Sequence, residues 1–82
     1  MKTTAKNLQE LGCINVDFFY VVLFHNDKVE LDTASRSLHS CLCRLRELFG
    51  TTTKAKVIRF ADMASWSEAI VSDNGRRVLN WR

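Results

Sequence analysis

Few side chains in this sequence have the chemistry to attack a substrate, hold a metal or move a proton: Cys13, Cys41, Cys43, His25 and His39. Three of them fall in the run His39-Ser40-Cys41-Leu42-Cys43. On a helix, His39 and Cys43 share a face at a spacing of four, while Cys41 lies well away from Cys43. Structural zinc is normally held by paired C-x2-C knuckles, which this sequence lacks, and Cys13 joins only by an accident of folding. Cys41 therefore reads as a small apolar filler and Cys43 as a boundary residue, and no metal or cofactor is expected. A cysteine nucleophile with His25 or His39 as base can be drawn. No nucleophile elbow, orienting carboxylate or oxyanion glycine accompanies it. Gly12, Gly50 and Gly75 each suffice as a helix stop or turn, so no glycine-rich phosphate loop exists. Paired carboxylates at acid–base spacing are also missing. No catalytic residue is assigned, and the chain does not read as an enzyme.

Basic residues interleaved with aromatics carry more weight. Lys54, Lys56 and Arg59 lie on one expected strand, Arg76 and Arg77 follow a hairpin tip, and Arg82 stands beside Trp81. Arg36 and Arg44 share the polar side of an expected helix, with Arg46 near its edge. Residues 1–35 hold three basic and five acidic groups, whereas residues 36–82 hold nine basic and four acidic ones. The second half thus projects a positive field that draws an acidic partner, protein or nucleic acid; the plainer reading is a solvated surface. Lys54 and Lys56, side by side on one face and next to Arg76 or Arg77, make a patch suited to phosphates. An exposed Trp66 or Trp81 there stacks on a base or anchors a protein, while the competing expectation is that at least one of them fills core. The candidate partner-binding set is Lys54, Lys56, Arg59, Arg76, Arg77 and Trp66. No helix-turn-helix pair, RNP aromatic signature or zinc knuckle is present, so a nucleic-acid reading rests on charge alone.

These residues must be positioned by a small number of elements. The stretch Asp32–Gly50 reads as one amphipathic helix of about four turns, capped by Asp32 or Thr33 and stopped by Gly50. Its apolar stripe is Ala34, Leu38, Cys41, Leu42, Leu45, Leu48 and Phe49. A short first helix precedes it, capped by Thr3 or Thr4, with Leu8 and Leu11 inward and Gly12 as stop. Val16–His25 is a strand whose near-continuous apolar character implies burial on both faces, or one core face and one covered by the first helix. Asn26-Asp27 is a turn pair, and Lys28–Leu31 returns as an antiparallel partner. Thr53–Ala61 reads as a third strand, with Lys54, Lys56, Ile58 and Phe60 on one face and Ala55, Val57, Arg59 and Ala61 on the other. Trp66–Ser72 and Arg76–Trp81 flank the turn Asp73-Asn74-Gly75 as a last hairpin. A two-residue turn sets Ile70 opposite Leu79 and Val71 opposite Val78; a three-residue turn sets Ile70 opposite Val78. The expected fold is α+β, a small antiparallel sheet of four to five strands packed on one central helix, in the order (α)ββαβββ.

Eighty-two residues, 46% apolar and 26% charged, fit a single folded domain over residues 1–82. The longest apolar run, Phe18 to Phe24, is far too short to span a bilayer. MKTTAKNLQELG has no hydrophobic signal core, and three cysteines are an odd number, so a reducing cytoplasm is expected.

The layout, with its D-T-A-S-R-S-L helix opening, K-V-I-R-F strand and W-S-E-A-I-V-S-D-N-G-R-R-V-L-N-W hairpin, resembles the small phage-encoded anti-CRISPR inhibitors of type I systems over roughly residues 18–82. The resemblance implies a stoichiometric inhibitor that binds a host nucleoprotein machine through surface lysines and arginines where nucleic acid would lie. The expected function is a small non-enzymatic inhibitor or regulator that docks on a host protein or nucleoprotein complex, without membrane contact. The alternatives are a direct DNA- or RNA-binding regulator and a homodimer built on a sheet edge.

Overall fold

The computed structural model describes residues 5–12, 15–25, 28–49, 54–62, 65–72 and 75–82. Its elements are α1 (Ala5–Glu10), β1 (Phe19–His25), β2 (Lys28–Ser35), α2 (Leu38–Leu48), β3 (Lys54–Phe60), β4 (Trp66–Ser72) and β5 (Arg77–Trp81). The expected caps Thr3 and Thr4, the turn Asn26-Asp27, the stop Gly50, and Cys13, Asp73 and Asn74 lie outside the described residues.

The five strands form one antiparallel sheet in the order β2-β1-β3-β4-β5. Both β2 and β3 run antiparallel to β1, hence parallel to each other, and α2 carries the chain from one to the other over β1. Side-chain alternation then divides the core in two. Tyr20, Val22, Ile58 and Phe60 face α1 and close around Leu8, whereas Val21 and Val57 face α2 and close around Cys41, Leu42 and Leu45. Strand β1 is thus buried on both faces, as its unbroken apolar run predicts. The buried Tyr20 hydroxyl accepts a hydrogen bond from the Asn15 backbone N–H at 3.0 Å, so its burial leaves no orphaned polar group.

The central helix is shorter than the sequence suggests. Asp32 and Thr33 do not cap it: they belong to β2, where Thr33 pairs with Val21 and Ser35 with Phe19. The cap is Ser37, whose Oγ accepts from the Ser40 N–H at 3.4 Å. A run of D-T-A-S-R-S offers several cap-competent residues, and strand β2 takes in the first four, pairing Thr33, Ala34 and Ser35 with β1. Gly12, at φ +91°, stops α1 as expected.

Asp32 gains a different role. The register of β2 shifts between Val21 and Val22, so Thr33 and Leu31 face consecutive β1 residues and Asp32 is the extra residue of a bulge. Its carboxylate accepts from Arg44 Nε at 2.8 Å and Nη2 at 3.0 Å, and from Thr33 Oγ1 at 2.6 Å. This two-pronged contact pins α2 to the edge strand. The Arg44 hydrogen bonds are the main reason that Asp32 titrates below its ordinary 3.8, against a smaller opposing effect of burial.

The last hairpin follows neither sequence register throughout. Val71 faces Val78 as a two-residue turn requires, but Ile70 faces Asn80 because Leu79 is bulged out of β5. The ladder between β3 and β4 pairs Ile58–Phe60 with Trp66–Glu68, whereas β4 and β5 pair as far as Ser72 and Arg77. The tip of the hairpin leans on α2: a Cβ at Gly75 would lie 3.3 Å from Leu45 Cδ2 and 3.3 Å from Phe49 Cε2.

Two predictions follow from these contacts. Gly75 sits at φ +89°, so Gly75→Ala combines left-handed strain with crowding; it is expected to lower stability by about 1–3 kcal/mol in urea unfolding. Because the folded Asp32 pKa is depressed, its contribution is present above pH 3.8 and is lost as pH falls through the folded value. Asp32→Asn should therefore melt well below the wild type at pH 7, with the gap shrinking as the pH is lowered beneath 3.8.

Candidate functional site

The two sheet faces differ in how completely they are covered. On one, α2 spans β1, β2 and β3, and the side chains of Ala69, Val71, Val78 and Trp81 close in beside it. On the other, α1 has only six residues, a length of about 9 Å. Five strands are about 19 Å across, so α1 covers part of that face. Its core cluster draws on α1, β1 and β3, with Val29 and Trp66 at the margin, and takes in no residue of β5.

Strand alternation decides which basic residues reach this open part. Lys54 and Lys56 lie on the α1 side, in phase with Ile58 and Phe60. On β4, Glu68 pairs with Ile58 and shares that side, while Ala69 and Val71 turn to α2. Ser72 and its cross-strand partner Arg77 fall out of phase with Val71 and Val78, and so also face the α1 side. Arg82 continues the β5 ladder, exchanging backbone hydrogen bonds with Glu68 at 2.7 and 2.9 Å, which places it there too. Lys54, Lys56, Arg77 and Arg82 are all exposed, and Glu68 is the one carboxylate on β3, β4 and β5 among the described residues.

Their immediate partners differ. Lys56 Nζ lies 3.2 Å from Glu68 Oε2 and 5.3 Å from the centroid of the Phe24 ring. Lys54 and Arg77 have no ion-pair partner among the described residues. An ion pair as exposed as Lys56–Glu68 contributes little to stability, so Lys56 can exchange it for an outside anion at small cost.

Three of the expected site residues sit elsewhere. Arg59 points to the α2 side, its guanidinium 4.2 Å from the Trp81 ring centroid, and Trp81 in turn lies 5.8 Å from Phe19. Trp66 is half-buried against the α1-side core, beside its cross-strand partner Phe60. Arg76 precedes β5 next to the packed Gly75 and is engaged within the fold. Arg82, by contrast, joins the face although it stands outside the expected set; strand alternation from Trp81 is the signal that places it.

Cys41 is fully buried in the α2-side core, and burial pushes its thiol up to about 11. Cys43 lies on the outer side of α2, with Sγ 3.5 Å from His39 Nε2 and 2.9 Å from Arg46 Nη2. Among the described residues no three His, Cys, Asp or Glu side chains converge as a metal site, and no helix is long and apolar enough to cross a membrane.

No family model matches the chain, and searches of curated proteins and of solved structures return no match.

The open face has a direct electrostatic test. Glu68→Gln removes the carboxylate paired with Lys56, so the variant is expected to leave a heparin column at higher salt than the wild type. Lys54→Gln should leave at lower salt. Identical elution of all three would show that heparin contacts other cations.

Proposed function

We propose that this protein is a small non-enzymatic inhibitor or regulator that docks on an acidic surface of a host protein or nucleoprotein complex. One observation carries the reading: strand alternation puts Lys54, Lys56, Arg77 and Arg82, all exposed, on the same side of the sheet, where Glu68 is the one carboxylate of β3, β4 and β5. The strands fix which side of the sheet these four cations leave from. The cations steer an acidic partner and fix its orientation, while aliphatic stems and the half-buried Ile70 supply apolar contact. Of the sequence-derived set, Lys54, Lys56 and Arg77 keep this role and Arg82 joins them; Arg59 belongs to the opposite face. The resemblance to phage-encoded inhibitors fits the reading, with the host cytoplasm as the place of action.

Affinity capture from host lysate, with and without nuclease, tests it. The wild type is expected to retain one acidic partner or complex after nuclease treatment. A variant with Lys54, Lys56, Arg77 and Arg82 all changed to Gln should lose that partner while keeping its melting temperature. Equal capture by the variant overturns the proposal. Capture that vanishes with nuclease favours a direct nucleic-acid binder instead, and such binding to duplex DNA would weaken steeply with salt.

A further inference from the structure

Three strands bring apolar and cationic side chains into two adjoining rows on the α1 side of the sheet. In the first row, Val29 of β2, Phe24 of β1 and Lys54 of β3 are successive cross-strand partners. In the second, Leu31, Val22 and Lys56 stand in the same relation. The fully buried Val22 fixes the side from which both rows project, because Phe24 and Val29 pack against its cluster. Phe24 and Val29 stay half-buried, Leu31 is 36% exposed, and both lysines are exposed. The carboxylates of β2 turn away from these rows. Glu30 pairs with Leu23 on the α2 side, and Asp32 accepts two hydrogen bonds from Arg44 of α2. Glu68 meets the rows from β4, where it pairs with Lys56.

We infer that this strip is the contact for a protein segment that sets carboxylates beside large apolar side chains. The inference rests on the docking role proposed above and names the chemistry of the partner. The strip is complementary to such a segment on two counts. Carboxylates reach Lys54 and Lys56, and leucine-sized groups cover Leu31, Val29 and the rim of Phe24. A nucleic-acid strand fits it less well. Phosphates would satisfy the lysines, but Val29 and Leu31 are aliphatic and offer a base nothing to stack on. The Phe24 ring packs on the core and carries the Lys56 ammonium 5.3 Å from its centroid, which leaves it poorly placed for stacking. Lys56 exchanges Glu68 for the incoming carboxylate, and a swap between exposed ion pairs costs little.

Fluorescence anisotropy on the full chain tests this with three labelled probes: a peptide of Glu interspersed with Leu, an all-Glu peptide of equal charge, and oligothymidylate. The Glu–Leu peptide is expected to bind about ten-fold tighter than the all-Glu peptide, the order of gain from covering a partly exposed leucine. Leu31→Ser should erase that margin and leave the all-Glu affinity unchanged, whereas Lys54→Gln should weaken both peptides. Should Leu31→Ser fold poorly, Val29→Thr repeats the test with a β-branched side chain kept in the strand. Equal affinity for the two peptides, or a margin that survives both apolar substitutions, overturns the inference and leaves a purely electrostatic docking surface. Tighter binding of oligothymidylate than of either peptide overturns it in favour of nucleic acid, and no binding of the Glu–Leu peptide overturns it as well. The docking role itself stands or falls separately, on lysate capture by the four-Gln variant.

Discussion

The structure depends on a strand that cannot face water on either side. Tyr20, Val21 and Val22 are successive residues of β1, all buried, and strand geometry sends them alternately to opposite faces. Leaving either face open would expose side chains whose burial contributes about 1.5–3 kcal/mol each. A helix must therefore lie on both sides, and the chain supplies two of unequal size. The eleven-residue α2 covers three strands, whereas the six-residue α1 sets Leu8 into the cluster of Tyr20, Val22, Ile58 and Phe60. The open sheet surface is a consequence of that inequality.

The same inequality sorts the charges. Arg44 is spent on the β2 edge and Arg59 on the Trp81 ring, both on the α2 side. Lys54, Lys56, Arg77 and Arg82 remain on the α1 side, while Arg46 stays on α2. Lys56 and Glu68 sit within that group as a pair that screens it without neutralising it. Because the pair is exposed, it affects recognition more than folding.

Much of this was legible in the residues. The apolar run at Phe18–Phe24 indicates a doubly covered strand, the stripe through Cys41, Leu42 and Leu45 indicates one packed helix, and W-S-E-A-I-V-S forms its strand with the expected ends. What failed needed tertiary contacts. The residues Asp32–Ser35 are as fit to begin a helix as to end a strand, and only pairing with β1 decides between them. Alternation correctly parts Lys54 and Lys56 from Arg59, but nothing local says which side the longer helix covers. The proximity of Glu68 to Lys56 depends on how β4 is registered against β3. The contact of Arg46 with Cys43, by contrast, follows from helical spacing of three, and the expectation that His39 and Cys43 share a face holds at 3.5 Å.

Both outermost strands, β2 and β5, carry one surplus residue, Asp32 in the first and Leu79 in the second. Each irregularity falls on a rim where unsatisfied amides and carbonyls would otherwise invite another chain to align. Local coiling at those points puts the rims out of step with any straight ribbon, and arginines at both ends of β5 add mutual repulsion between copies. Both open rims thus carry a feature that disfavours in-register alignment with another chain.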